Sequence, residues 1–155
     1  MRRRRAEIRK VSPDAQFNSD IINKFINLIM LKGKKTLSQD IVYGALDILK
    51  EKAGKDPVSV FYQALENARP KIETRARRIG GATYQVPVEV TKERGISIAL
   101  RWIRDYARAK KGKGMAIRLA DEIFSCYKQE GAVIKKRDDT HKMADANKAF
   151  AHFKW

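Results

Sequence analysis

The chain has 155 residues, of which 43% are hydrophobic and 34% charged, and its 34 Lys and Arg against 18 Asp and Glu leave a formal net charge of +16. A domain of that length can bury roughly 70% of the surface its unfolded chain exposes, so a true core is possible. A disulfide scaffold is excluded by the single cysteine, Cys126, and the uncompensated positive charge calls for a polyanionic partner.

Residues 1–12 carry Arg2, Arg3, Arg4, Arg5, Arg9 and Lys10 against one acid, Glu7. Such a segment cannot offset its ordering entropy by apolar burial, so the reading is a basic arm, disordered until an anion holds it. No apolar run follows the arginines, so they are not read as a secretory or twin-arginine signal, and a cytoplasmic protein is expected.

Asn18 or Ser19 can cap a first helix over 20–31, with Ile21, Ile22, Phe25, Ile26, Leu28 and Ile29 making a wide apolar face. Asn23, Lys24 and Asn27 interrupt it, which excludes a membrane span there. A turn at Gly33-Lys34-Lys35 leads to a second helix over 35–53, with Thr36 and Gln39 as a capping box, Leu37, Ile41, Ala45, Ile48 and Leu49 as its stripe, and Gly54 as its end. Asp56-Pro57 is an N-cap followed by proline at the first helical position, and Pro70 stops this third helix.

The period then changes from helical to alternating. Residues 72–79 and 84–90 flank Gly80-Gly81-Ala82-Thr83 and read as a β-hairpin, with Pro87 tolerable only because each strand of a ribbon has a free edge. Helices resume over 92–110, with Thr91 as cap, then over 115–130 and 133–147, while residues 149–155 resist assignment. The fold class expected is mainly α: a six-helix body with a projecting two-stranded hairpin arm about 72–90 and a basic N-terminal extension, residues 13–155 forming one domain.

Catalytic readings fail on spacing. Gly33-Lys34-Lys35-Thr36 is like the end of a phosphate-binding loop, but position 28 holds Leu where glycine is required, and the motif follows a helix instead of a strand. Asp138, Asp139 and His141 have no second cluster to complete a metal site, Cys126 sits in an apolar helix as a small core residue, and His152 lacks a nearby acid–base partner. No enzyme activity, cofactor, metal or small-molecule substrate is expected.

The basic residues are placed as well as numerous. On a helical wheel Arg101, Arg104, Arg108 and Lys111 fall within an arc of about 80°, with Arg94 near them, beside an apolar arc of about 100° containing Ile96, Ala99, Leu100, Ile103 and Ala107. Between 101 and 118 there are seven bases, Lys110, Lys113 and Arg118 among them, and one acid, Asp105. A solubility face would intersperse acids, so this side of the helix reads as a nucleic-acid-binding face. On the hairpin, Arg75 and Arg77 share a face and Arg78 lies on the other near the glycine tip. Two readings remain for this hairpin: an arm that approaches nucleic acid, or a ribbon folded over the core through Tyr84, Val86, Val88 and Val90.

Several stretches carry a family resemblance over nearly the whole chain: Gly33-Lys34-Lys35, Asp56-Pro57 into Ala64-Leu65-Glu66-Asn67, the hairpin from Arg77 through Pro87, Ala99-Leu100-Arg101-Trp102, and the ending from Ala144 to His152. Through them the sequence resembles the bacterial small-subunit ribosomal protein seven family. The resemblance implies a structural constituent of the small ribosomal subunit that binds ribosomal RNA, nucleates assembly of its 3′ major (head) domain, and lies near the exit-site tRNA and the mRNA path. It implies ribosomal protein eleven among its neighbours. Candidate RNA contacts are Arg2 to Arg5, Arg9, Lys10, Lys34, Lys35, Arg75, Arg77, Arg94, Arg101, Arg104, Arg108, Lys110, Lys111, Lys113 and Arg118, and the candidate tRNA- and mRNA-proximal tip is Arg78, Gly80, Gly81 and Tyr84. The alternative is an architectural DNA-binding protein with a β-arm, which would be expected to present paired, two-fold-related arms.

Overall fold

Helix α1 (Asp20–Ile29) starts where Ser19 Oγ accepts the Ile22 N–H at 3.3 Å, so Ser19 rather than Asn18 is its cap. Just before it, the buried carboxylate of Asp14 accepts the N–H groups of Gln16 and Phe17 at 3.1 Å and the Tyr43 hydroxyl at 2.7 Å. The helix ends two residues sooner than its apolar pattern suggests, because Lys32 and Gly33 turn the chain through positive φ and leave Leu31 exposed. The structure is a computed structural model that describes residues 3–4, 6–7 and 11–153. The expected disorder of the arm, with Arg2, Arg5, Arg9 and Lys10, falls largely outside those residues, while Arg3 and Arg4 are exposed.

Helix α2 (Lys35–Ala53) has the expected bounds but not the expected cap. Lys34 occupies the N-cap position and makes no side-chain cap bond, so Thr36 lies inside the first turn, too late to cap it. The buried stripe is Val42, Ala45, Leu46 and Leu49, while Leu37 is half in solvent and Ile41 and Ile48 are half-buried. The helix therefore presents a face turned slightly from the one its sequence suggests, and that face meets helix α5. Asp56 Oδ2 accepts the Ser59 N–H at 2.8 Å and starts helix α3 (Pro57–Ala68) as expected. Pro70 forces Arg69 into an extended conformation, φ −69° and ψ 122°, and ends it.

Strands β1 (Ile72–Ile79) and β2 (Ala82–Glu89) pair antiparallel, with Ile72 opposite Glu89 and Ile79 opposite Ala82. The connection is two residues, Gly80 at φ 55° and Gly81 at φ 92°, so Ala82 and Thr83 belong to the strand and not to the tip. Both central residues of such a turn need positive φ, which a side chain resists and glycine does not.

Helix α4 (Lys92–Ala109) begins after Thr91, whose side chain makes no cap bond. Gly95 lies against the end of α3, where a Cβ would come within 2.6 Å of Arg69 Cγ and 3.2 Å of the Pro70 carbonyl. Helix α5 (Met115–Tyr127) packs on α2, α3 and α4, burying Leu119, Ala120, Ile123 and Cys126. It stops sooner than expected because the chain reverses through Gln129 at φ 62° and Gly131 at φ 92°. Helix α6 (Ala132–Ala146) follows, and Lys148–Phe153 form a 3-10 turn where no element was expected. The core joins α1 to α6, with Phe25 and Phe61 ring centroids 5.4 Å apart near its centre.

Candidate nucleic-acid interface

The exposed side of α4 follows from its two neighbouring arcs. Ile98, Ala99, Leu100, Ile103 and Ala107 turn inward, and Arg101 is left exposed, its Nε donating to the Ser97 carbonyl at 3.1 Å. Arg104 is half-buried and donates to Asp105 at 2.7 Å, a bond that holds the Asp105 carboxyl below the usual carboxylate range. Arg108 turns further in, its Nη2 donating to the Ile29 carbonyl at 3.0 Å. It thereby satisfies an otherwise open carbonyl in the last turn of α1 and ties α1 to the far end of α4. Lys34 and Lys35 stand exposed a few residues beyond that carbonyl, in the turn to α2.

An open groove of about 730 Å³ runs between α1 and α4, with Ile21, Leu28, Ile96 and Leu100 on its floor and Lys24 and Arg101 on its rim. Lys24 was not among the residues picked out in the sequence. It is a lone base in an apolar helix, and only the packing of α1 beside α4 puts it on the same groove as Arg101, with Asp20 and Glu93 also lining it.

At the other end of α4, Arg94 grips Glu73 of β1 with two bonds, Nε to Oε1 at 2.9 Å and Nη2 to Oε2 at 3.0 Å. Arg75 Nε adds a third bond to the same carboxylate at 2.8 Å. Burial alone would raise the Glu73 carboxyl, but hydrogen bonds from Arg94 and Arg75 outweigh it and hold it below the usual range. The two arginines are thus brought together by one acid: Arg94 fastens the hairpin root to α4, and Arg75 braces the same carboxylate from within β1. Glu73 was also missed in the sequence, although one acid alternating with bases along a strand is a usable signal for a clip.

Further out, Arg77 is half-buried opposite Tyr84, and Arg78 is exposed opposite Thr83. Tyr84 is not a solvent-facing tip residue: its ring lies 5.2 Å from Phe150 and 5.5 Å from Phe153, both in the C-terminal 3-10 turn. Val86 is fully buried, and the Lys71 N–H donates to His141 Nε2 of α6 at 3.0 Å. The ribbon thus packs on α6 and the tail turn along part of its length, while Arg78, Gly80 and Gly81 stand exposed at the end.

Between α4 and α5, Lys111 and Lys113 are exposed. Lys110 is exposed as well, its side chain 41% accessible, but its Nζ pairs with Glu122 Oε1 at 2.6 Å, and half-buried Arg118 donates from Nη1 to the carbonyls of Lys110 and Arg108. Cys126 is fully buried one turn beyond Glu122, its thiol pushed up to about 12 by burial and by the Glu122 carboxylate. A thiol in that state is no nucleophile. Among the described residues no cluster of three His, Cys, Asp or Glu is placed to hold a metal ion, and no helix is long and apolar enough to cross a membrane.

Charge is segregated along the chain and hence on the fold. Residues 35–68, covering α2 and α3, hold four bases and five acids, whereas residues 69–118, covering the hairpin, α4, the following loop and the first turn of α5, hold fourteen bases and four acids. What this arrangement can do chemically is bind a large polyanion on one side.

Comparison with known proteins agrees in kind. The model of the family described as "Ribosomal protein S7p/S5e" matches residues 1–148. The protein named "Small ribosomal subunit protein uS7" of Fervidobacterium nodosum is 58% identical over 155 residues, covering all of both chains. That of Thermotoga maritima is 57% identical over the same span, and that of Mycoplasmopsis synoviae is 54% identical over 154 residues, or 99% of each chain.

Proposed function

The chain belongs to the ribosomal protein S7p/S5e family and is a protein of the small ribosomal subunit, and from that premise we propose that it binds small-subunit ribosomal RNA directly and nucleates folding of the 3′ major (head) domain. The observation that carries this reading is the segregation of charge: fourteen bases against four acids between 69 and 118, on elements fastened to one another by Arg94, Arg108 and Glu73. A scaffold that is already rigid loses little further freedom when RNA docks on it.

In this reading residues 13–155 are one RNA-binding domain, and residues 1–12 add a basic arm. Arg101, Lys24, Lys34, Lys35, Lys111 and Lys113 meet phosphates around a multi-helix junction. Recognition is by shape and backbone, because side chains cannot enter the deep, narrow groove of A-form RNA. Arg78, Gly80 and Gly81, thin and exposed at the hairpin end, face the exit-site tRNA or the mRNA, and ribosomal protein eleven is a neighbour. The protein acts by binding and not by catalysis.

The test is footprinting of the purified protein on total cellular RNA. Protection centred on the head junction of the small-subunit RNA is expected, and protection spread evenly over unrelated RNA would count against the proposal. Deleting Arg78 to Thr83 tests the tip separately: subunit assembly should persist while tRNA retention at the exit site or reading-frame accuracy changes. Failure to assemble would assign the tip to anchoring instead.

A further inference from the structure

Helix α5 buries an acid on its inward face. Glu122 is 3% exposed and lies in the stripe formed by Leu119, Ile123 and Cys126, where an apolar residue is the ordinary choice. Its Oε1 holds Lys110 Nζ at 2.6 Å. One turn earlier, Arg118 Nη1 donates to the carbonyls of Lys110 and Arg108, the last acceptors of α4. Two contacts from α5 thus meet at Lys110, one on its ammonium and one on its carbonyl, at the point where α4 gives way to Lys111-Gly112-Lys113-Gly114.

That loop is open to solvent, held by the Arg118 N–H to Gly114 carbonyl bond at 3.2 Å where α5 begins. A Cβ at Gly112 or at Gly114 would meet nothing within 4 Å, and Lys111, Gly112, Lys113 and Gly114 are all exposed. The cost of the arrangement is visible too. Glu122 Oε2 and Arg118 Nε are buried with no hydrogen-bond partner among the described residues. A buried ion pair is frequently no more stabilising than apolar residues of similar volume, so stability alone does not account for placing charges here. What the pair provides is direction: it fixes where the loop leaves α4.

We infer that Glu122 and Arg118 are positioning residues that hold Lys110 by its ammonium and its carbonyl and so aim Lys111 and Lys113, but not the paired Lys110, at bound RNA. This rests on the RNA-binding reading above. It divides three adjacent lysines that the sequence leaves equivalent: two are contacts and one is the hinge pin.

The salt dependence of binding counts phosphate contacts, because each neutralised phosphate releases condensed counterion. With a transcript of the small-subunit ribosomal RNA as probe, Lys111→Met and Lys113→Met should each reduce the slope of log affinity against log salt by roughly 0.7–0.9. Lys110→Met should leave the slope unchanged. Glu122→Gln should lower affinity roughly three- to tenfold at an unchanged slope, the scale on which residues off a binding face act, and should speed hydrogen exchange at residues 111–114. Lys110→Met/Glu122→Leu replaces the pair with apolar groups and guards against misfolding in the single variants; it should fold, bind weakly and keep the unchanged slope.

A slope reduction in Lys110→Met equal to that in Lys111→Met overturns the assignment. So does wild-type affinity with wild-type loop exchange in the double variant. A flat salt response in the wild-type protein would instead sink the RNA-binding reading itself, which keeps the two failures apart.

Discussion

Helices α2 and α4 are of similar length, 19 and 18 residues, and both pack on α5, yet they do opposite things with their outer faces. The face of α2 mixes Asp40, Asp47 and Glu51 with Lys50 and Lys52, and Lys52 pairs with Asp121 of α5. Helix α4 carries Lys92, Arg94, Arg101, Arg104 and Arg108 against two acids, Glu93 and Asp105. The first is a solvated surface balanced for solubility; the second is left unbalanced within the chain. A shared core therefore says nothing of function here, and the ratio of bases to acids on each outward arc says much.

The widest test of this contrast is salt. With six to ten phosphate contacts on the α4 side, RNA affinity should fall roughly 10³-fold or more between 50 and 200 mM monovalent salt. A titration that stays nearly level over that range would erase the difference between the two faces. Next in size is charge reversal on each side in turn. Arg101→Glu with Lys111→Glu and Lys113→Glu should weaken binding on the order of 10²-fold through lost contacts and repulsion. Lys50→Glu with Lys55→Glu on the α2 side, at the same ionic strength, should change it by less than about twofold. Equal losses from the two sets, measured by filter binding, would show that only net charge matters.

A smaller effect distinguishes hairpin from helices. Phe150→Ala with Phe153→Ala removes the rings that hold Tyr84, so hydrogen exchange in the outer hairpin should accelerate. The melting of the helical body should move by no more than about 1 kcal/mol, as for partly exposed residues away from a core. A collapse of the cooperative transition would mean that ribbon and body unfold as one.

The smallest concerns pH. Burial, then the neighbouring Arg137, lowers the His141 pKa, with Lys71 adding to the effect and Asp138 and Asp145 opposing it. A depressed folded value means that the unfolded chain takes up the proton first, so stability from neutral His141 is present above about 6.5 and lost as pH falls through the lower folded value. Since Nε2 accepts the Lys71 N–H, protonation also removes that acceptor. Protection of the Lys71 N–H, its exchange relative to the intrinsic rate at each pH, should fall on acidification in the wild type, and His141→Gln should flatten the response. An unchanged response in the variant would place the titrating group elsewhere.

Local chemistry made α3 and the hairpin legible from sequence. Asp56-Pro57 and Pro70 bracket a helix whatever surrounds it, and Gly80-Gly81 specifies its turn without help. The C-terminal 3-10 turn was not legible, because Phe150 and Phe153 find their partner in Tyr84, about 65 residues earlier in the chain. The candidate site divides in the same way. Period alone set Arg101, Arg104 and Arg108 on one arc, but no period reveals that Arg108 would reach across to the end of α1, or that Lys110 would pair with the buried Glu122. Those outcomes depend on which carbonyls and carboxylates the packing brings near.

The close seat of Gly95 on Arg69 and Pro70 has a consequence for how such a molecule can vary. The ribbon leaves the body after Pro70 and returns just before Thr91, and the Val90 N–H to Lys71 carbonyl bond at 2.9 Å closes the gap between departure and return. Its two feet are therefore fixed independently of its span. Residue pairs can be inserted or removed near the glycine turn, two at a time to preserve the alternation of faces, without disturbing the helices. Reach thereby becomes an adjustable dimension, while the footing at Gly95 leaves no room for an added methyl group unless Arg69 and the Pro70 carbonyl move.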